Sequence, residues 1–148
     1  MSKVLMIMGT MSSAGKSLIT TGLCRYYARQ GLRILPFKAQ NMSNNAAVCP
    51  SGGEIGRAQA AQAMAAGVEP TTDMNPILLK PEADLRSQLI IHGKSCGSFS
   101  AQNYYAQYEL LWKTVTESLE RLRTNADLII IEGAGSISEL NLTKTDIV

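Results

Sequence analysis

Two strings carry residue types that can do phosphate chemistry, and a third is dense in amides. The first string is Gly9-Thr10-Met11-Ser12-Ser13-Ala14-Gly15-Lys16-Ser17, directly after the apolar run Val4-Leu5-Met6-Ile7-Met8. A strand that runs into a small-residue loop, and a loop that opens a helix, builds a nest of backbone N–H groups for phosphate oxygens. Gly9, Thr10, Ser13, Ala14 and Gly15 supply that nest, Lys16 a fixed positive charge for the outer phosphates, and Ser17 a hydroxyl ligand for Mg²⁺. The strict phosphate-loop pattern has four residues between its glycines; here five lie between Gly9 and Gly15. The second string is Ile129-Ile130-Ile131-Glu132, followed by Gly133-Ala134-Gly135-Ser136. An acid at the end of an apolar strand holds Mg²⁺, directly or through water, opposite the Ser17 hydroxyl. The third is Lys38-Ala39-Gln40-Asn41-Met42-Ser43-Asn44-Asn45, at the carboxyl end of an expected strand, where open α/β sheets bind ligands. Taken alone, that string reads first as a solvated loop.

These groups need elements to position them. Residues 3–8 are almost continuously apolar, the pattern of a strand buried on both faces of a parallel sheet. Residues 16–30 read as a helix with Ile19, Leu23, Tyr26 and Tyr27 along one side, Gly22 close to the sheet and Gly31 as its stop. Residues 33–37 form a second strand, so the chain starts as a right-handed β-loop-α-β unit. Residues 55–66 are alanine-rich and helical by propensity, with Gln59 and Gln62 one turn apart on a shared face. Pro76 and Pro81 limit any element between them to a few residues. A third strand is expected at 87–92 and a loop at 93–98. Gly93-Lys94-Ser95 imitates a phosphate loop but lacks an upstream glycine and a following amphipathic helix. Residues 101–124 make the longest helix, its apolar stripe running Tyr104, Tyr108, Leu111, Val115, Leu119 and Leu122, with Glu117 and Arg121 as a helical ion pair. A buried strand over 127–131 delivers Glu132.

Composition narrows the classes. The 148 residues suit one α/β domain, and 45% hydrophobic with 18% charged content is that of an ordinary globular chain. A net charge of +2 without a basic block argues against nucleic acid or an anionic membrane as partner. No apolar stretch nears the ~20 residues of a membrane span, and the start of the chain does not read as a signal peptide. Cys24, Cys49 and Cys96 show no paired spacing and fit free thiols in a reducing cytoplasm. His92 is the one histidine, which excludes chemistry that needs two, and it reads as structural.

Several strings together resemble the cobyric acid synthase family, the glutamine-dependent amidotransferases of cobalamin biosynthesis. They are the Gly9–Ser17 loop, Phe37-Lys38-Ala39-Gln40-Asn41-Met42-Ser43, Gly52-Gly53-Glu54-Ile55-Gly56-Arg57-Ala58-Gln59, Asp73-Met74-Asn75-Pro76-Ile77-Leu78-Leu79-Lys80-Pro81 and Ile131–Ser136. The five-residue loop spacing matches this group and its relative dethiobiotin synthetase. The resemblance implies an α/β, P-loop NTPase-like fold, with a mostly parallel sheet, helices on both faces and an incomplete copy of the full domain. It implies that residues 1–148 correspond to the N-terminal part of an ATP-binding amidotransferase domain. Family members continue into further strands and a C-terminal glutaminase domain that these residues lack.

The implied reaction is ATP-dependent amidation of corrin side-chain carboxylates, with ammonia from glutamine displacing phosphate from an acyl phosphate. In that reading Lys16, Lys38 and Glu132 are catalytic, with Lys38 steering the substrate carboxylate towards the γ-phosphate. Ser17 and Glu132 hold Mg²⁺, and Glu54 is a further acidic ligand unless it serves the surface. Gln40, Asn41 and Asn44 offer hydrogen bonds to the corrinoid. The implied partners are a corrinoid and ammonia from the glutaminase domain, with no nucleic acid or membrane; a homo-oligomer is compatible. Two alternatives stay open: a dethiobiotin-synthetase-like or a,c-diamide synthase ligase, and a partition-type ATPase. The latter carries a second lysine early in its loop, where this chain has Met11.

Overall fold

The computed structural model describes residues 2–11 and 13–135. Three parallel strands form the central sheet: β1 (Lys3–Ile7), β9 (Leu128–Glu132) and β2 (Ile34–Phe37), in the order β1-β9-β2. The last strand in the chain is therefore inserted between the first two. Its register sets Ile7 beside Glu132 and Phe37 beside Ile131, so three carboxyl ends finish together.

Helices cover both faces, as the α/β pattern requires. α1 (Lys16–Arg29) and α2 (Arg57–Ala66) pack on one side, where Cys24, Ile34 and Ile130 form a small core. On the other side α4 (Tyr108–Arg123) lays Leu111, Val115 and Leu122 against Leu35, Phe37 and Ile129. The alternation of Ile129 and Ile130 between the two cores is the period of two that a strand imposes. Burial of Cys24 pushes its thiol pKa up to about 12, which makes it an inert core residue.

A second sheet joins β3 (Gln40–Met42), β6 (Ile77–Pro81), β7 (Arg86–Ile91) and β8 (Lys94–Ser100) in that order. β3 and β6 run parallel, whereas β6, β7 and β8 form an antiparallel meander. A two-stranded ribbon, β4 (Ala46–Val48) with β5 (Glu54–Gly56), leads into α2. Among the described residues no helix is long and apolar enough to cross a membrane, and all three cysteines are free.

Several expectations change. β1 is an edge strand of the described sheet, and Val4 and Met6 are exposed rather than buried. α1 buries Thr20 and Cys24; Ile19, Tyr26 and Gly22 face solvent, so the inward stripe sits one residue further along. Residues 93–98 belong mostly to β8, because a polar solvent-facing hairpin strand looks like a loop in sequence. The helix over 101–124 is broken into α3 (Ala101–Tyr105) and α4 by a turn at Ala106 and Gln107. Arg121 forms a bidentate pair with Asp73, at 2.8 and 3.1 Å, and Glu117 pairs with Lys113. His92 lies 3.6 Å from the Asp73 carboxylate.

Candidate active site

The phosphate loop leaves β1 after Ile7, whose carbonyl accepts a hydrogen bond from Gly133 N at 3.0 Å. That bond locks the loop after β9 against the loop after β1. Gly15 turns into α1 with φ of 86°, a left-handed conformation that glycine adopts without a Cβ penalty. Lys16 then folds back over the loop. Its Nζ donates to the carbonyls of Met11 (3.2 Å) and Gly135 (3.1 Å). A Cβ on Gly9 would stand 3.1 Å from the same ammonium, so glycine there makes room for it. Among the described residues Lys16 meets neutral carbonyls and no carboxylate, which leaves its charge for an anion.

Glu132 is the centre of the site. It is 1% exposed, and a carboxylate so deeply buried needs charge and hydrogen bonds around it. Its Oε1 accepts from Ser17 Oγ at 2.8 Å and from Lys38 Nζ at 2.7 Å. Its Oε2 accepts from Gln62 Nε2 at 2.6 Å and Gln59 Nε2 at 3.3 Å. Three chain segments far apart in sequence thus meet on one side chain. Lys38 reaches it from the end of β2, where Lys38 N also donates to Met74 O at 2.9 Å.

An amide lattice supports this arrangement. Asn41 Nδ2 donates to Gln59 Oε1 at 3.1 Å. Asn75, buried to 1% exposure, accepts from Gly56 N at 2.8 Å and donates to Lys38 O and Ile77 O at 3.0 and 2.9 Å. A Cβ on Gly56 would fall 2.1 Å from Asn41 Nδ2, so only glycine lets the lattice close.

Two hollows meet here. One of about 780 Å³ is bordered by residues 13–18, Lys38, Asn41, Glu132 and Gly135. Another of about 420 Å³ shares Ser17, Lys38, Asn41 and Met42 with it and extends to Asn45 and Arg57. A larger hollow, about 1100 Å³, lies at the amino ends of β1 and β9 and holds none of the phosphate-loop residues. Carboxyl strand ends and convergent polar groups favour the first two as a ligand site.

The structure brings together Ser13, Ala14, Gly15, Lys16, Ser17, Lys38 and Glu132 around the larger of those two hollows. Thr10 lies exposed on the same loop. Glu54 is elsewhere: its carboxylate pairs with Lys80, and it borders neither hollow. Gln40 accepts from the Tyr104 hydroxyl, whose burial raises its pKa, and Asn44 is exposed. Lys94 sits on exposed β8, away from the site. Ser12 and Ser136 lie outside the described residues. The sequence marks Gln59 and Gln62 as a pair on one helix face but not what they hold, and nothing in it marks Asn75 as part of the site. Two amides at helical spacing in an alanine-rich helix were the available signal.

Ser17 Oγ and Glu132 Oε1 are hard oxygen donors side by side at the wall of the hollow, the chemistry Mg²⁺ takes from proteins. No cluster of three or more His, Cys, Asp or Glu suited to a metal occurs among the described residues. Mg²⁺ in nucleotide sites needs none, since phosphates and water fill most of its octahedron.

The family profile described as CobQ/CobB/MinD/ParA nucleotide binding domain matches residues 5–142. The chain is 59% identical over 147 residues to the cobyric acid synthase of Bradyrhizobium diazoefficiens, covering 99% of this chain and 30% of that protein. It is 58% identical over 146 residues to that of Nostoc punctiforme, covering 98% and 30%. The figures for Dehalococcoides mccartyi strain CBDB1 are 53% over 148 residues, covering 100% and 29%. The chain therefore spans about 30% of the length of the curated relatives it matches.

Proposed function

The chain belongs to the CobQ/CobB/MinD/ParA nucleotide-binding domain family, and from that premise we propose that it is the N-terminal, ATP-binding portion of a cobyric acid synthase. In this reading it activates a side-chain carboxylate of a corrinoid, adenosylcobyrinic acid a,c-diamide, towards adenosylcobyric acid. The observation that carries the proposal is the convergence of Ser17 Oγ and Lys38 Nζ on one oxygen of buried Glu132, with Lys16, which meets only carbonyls among the described residues, bordering the same hollow.

A carboxylate is a poor acyl donor until its oxygen becomes a phosphate leaving group. The substrate carboxylate oxygen attacks the γ-phosphorus of ATP, the bond to the β–γ bridging oxygen breaks, and ADP leaves. Ammonia, supplied by a glutaminase domain, then attacks the acyl carbon; phosphate leaves with the C–O electron pair, and the nitrogen sheds a proton. Ser17 and Glu132 would hold Mg²⁺, which would supply charge neutralisation on the phosphates. The chain's own groups bind and orient. The loop N–H groups and Lys16 hold the β- and γ-phosphates. Lys38 and Asn41 border both hollows, which suits them to receive a carboxylate in the smaller hollow beside phosphates in the larger. The setting is cytoplasmic in this reading.

The test is equilibrium binding, in the presence of ATP, of a corrinoid with free side-chain carboxylates against diaminopelargonic acid, the substrate of the dethiobiotin-type ligases. Preferential corrinoid binding, weakened in Lys38→Met, is expected. Preference for diaminopelargonic acid would overturn the substrate assignment.

A further inference from the structure

We infer that Gln59 and Gln62 are positioning residues for the metal–nucleotide end of the site, an inference that rests on the nucleotide-binding reading above. Both side chains are fully buried, and both donate to the same oxygen, Oε2 of Glu132. With Oε2 held, the carboxylate turns Oε1 alone to the Ser17 hydroxyl. A metal ion at Ser17 is then met by one carboxylate oxygen in a fixed direction, which is how hydrogen-bonded partners behind a ligating carboxylate tune a site.

The energetics favour a functional reason for these amides. Gln62 donates to Glu132, yet among the described residues its own buried Oε1 has no hydrogen-bond partner. An acceptor buried without a partner destabilises the folded chain. A helix selected for packing alone would place an apolar side chain there. The glutamine keeps the cost in exchange for its donor.

The two amides also reach outward. Asn41 donates to Gln59 Oε1, and Gln59 donates onward to Glu132. Asn41 borders both hollows. A two-step hydrogen-bond relay therefore joins the smaller hollow to the oxygen behind the metal ligand. Oε1 itself is shared between Ser17 and Lys38, so a metal approaching there competes with the Lys38 ammonium. The glutamines restrict that competition to a single oxygen.

The experiment titrates Mn²⁺, a paramagnetic stand-in for Mg²⁺, into the 148-residue chain with ATP. Bound metal is read by loss of the free-ion electron paramagnetic resonance signal, and ATP affinity is measured separately in EDTA. Gln59→Met and Gln62→Met keep side-chain length and remove the donors. Each is expected to raise the Mn²⁺ half-saturation about 10–100-fold, with metal-free ATP affinity within about twofold of the parent. Asn41→Ala, at a half-buried position, tests the relay even where a core variant fails to fold; a smaller rise in the same direction is expected. Unchanged half-saturation in the glutamine variants, or in Asn41→Ala where those do not fold, overturns the inference. So does an equal loss of ATP affinity with and without metal, which marks a merely structural role. Parent protein that binds ATP with no metal dependence overturns it while leaving the nucleotide reading intact. Parent protein that binds no ATP overturns that reading as well.

Discussion

At the scale of single residues, Glu132 concentrates the chemistry and the risk. Its partners are charge-bearing Lys38 and neutral Ser17, Gln59 and Gln62. Removing Lys38 leaves an uncompensated buried charge, which costs about 3–5 kcal/mol. Lys38→Met should therefore lower stability to urea by about that amount, and adding Glu132→Gln should recover much of the loss because the stranded charge goes with it. Additive losses in the double variant would show that the pair does not act as a unit. The Gly15-Lys16-Ser17 triplet and Glu132 were legible because their signals are local: a loop opening a helix, an acid ending a strand. Gln59, Gln62 and Asn75 were not, since an amide looks the same in sequence whether it faces water or a buried carboxylate.

At the scale of elements, the parallel core was legible from its apolar runs, and the meander was less so. β8 alternates small and polar residues with a glycine, and its face is mostly exposed, so no hydrophobic period marks it. The break between α3 and α4 has no Pro or Gly to mark it; buried Tyr104, in the last turn of the first piece, is tied to Gln40 by a tertiary contact. The short β5 strand before α2 was invisible for the same reason: it is defined by its partner β4 and by Asn75.

Gly56 joins these pieces, and Gly56→Ala should destabilise the chain by about 1–3 kcal/mol through overpacking against Asn41 and Gln59; a urea midpoint equal to the parent's would contradict the lattice. His92, at the β7–β8 turn, gives a pH test. Burial lowers its pKa below 6.5, with Arg121 acting in the same sense and Asp73 and Glu117 opposing. The unfolded chain then binds the proton more tightly. The stability His92 contributes is complete above its unfolded value of about 6.5 and is lost as pH falls through the folded value. The urea-midpoint difference between the parent and His92→Asn should therefore shift against the parent as pH falls from about 8 to about 5. A difference independent of pH would contradict this.

At the scale of the whole molecule, the carboxyl ends of β1, β9 and β2 gather a phosphate loop, a buried carboxylate and a lysine into one region. The central claim is that this region binds ATP through Lys16. Isothermal titration of ATP in Mg²⁺ buffer tests it most directly, with Lys16→Ala beside Lys94→Ala, which removes the lysine of the imitating Gly93-Lys94-Ser95 string on exposed β8. A charged hydrogen bond contributes about 1.5–3 kcal/mol, or roughly 10–100-fold in affinity. The expected result is one ATP per chain, affinity weakened by about that factor in Lys16→Ala and unchanged within about twofold in Lys94→Ala. Absence of ATP binding, or equal losses in the two variants, would contradict the account.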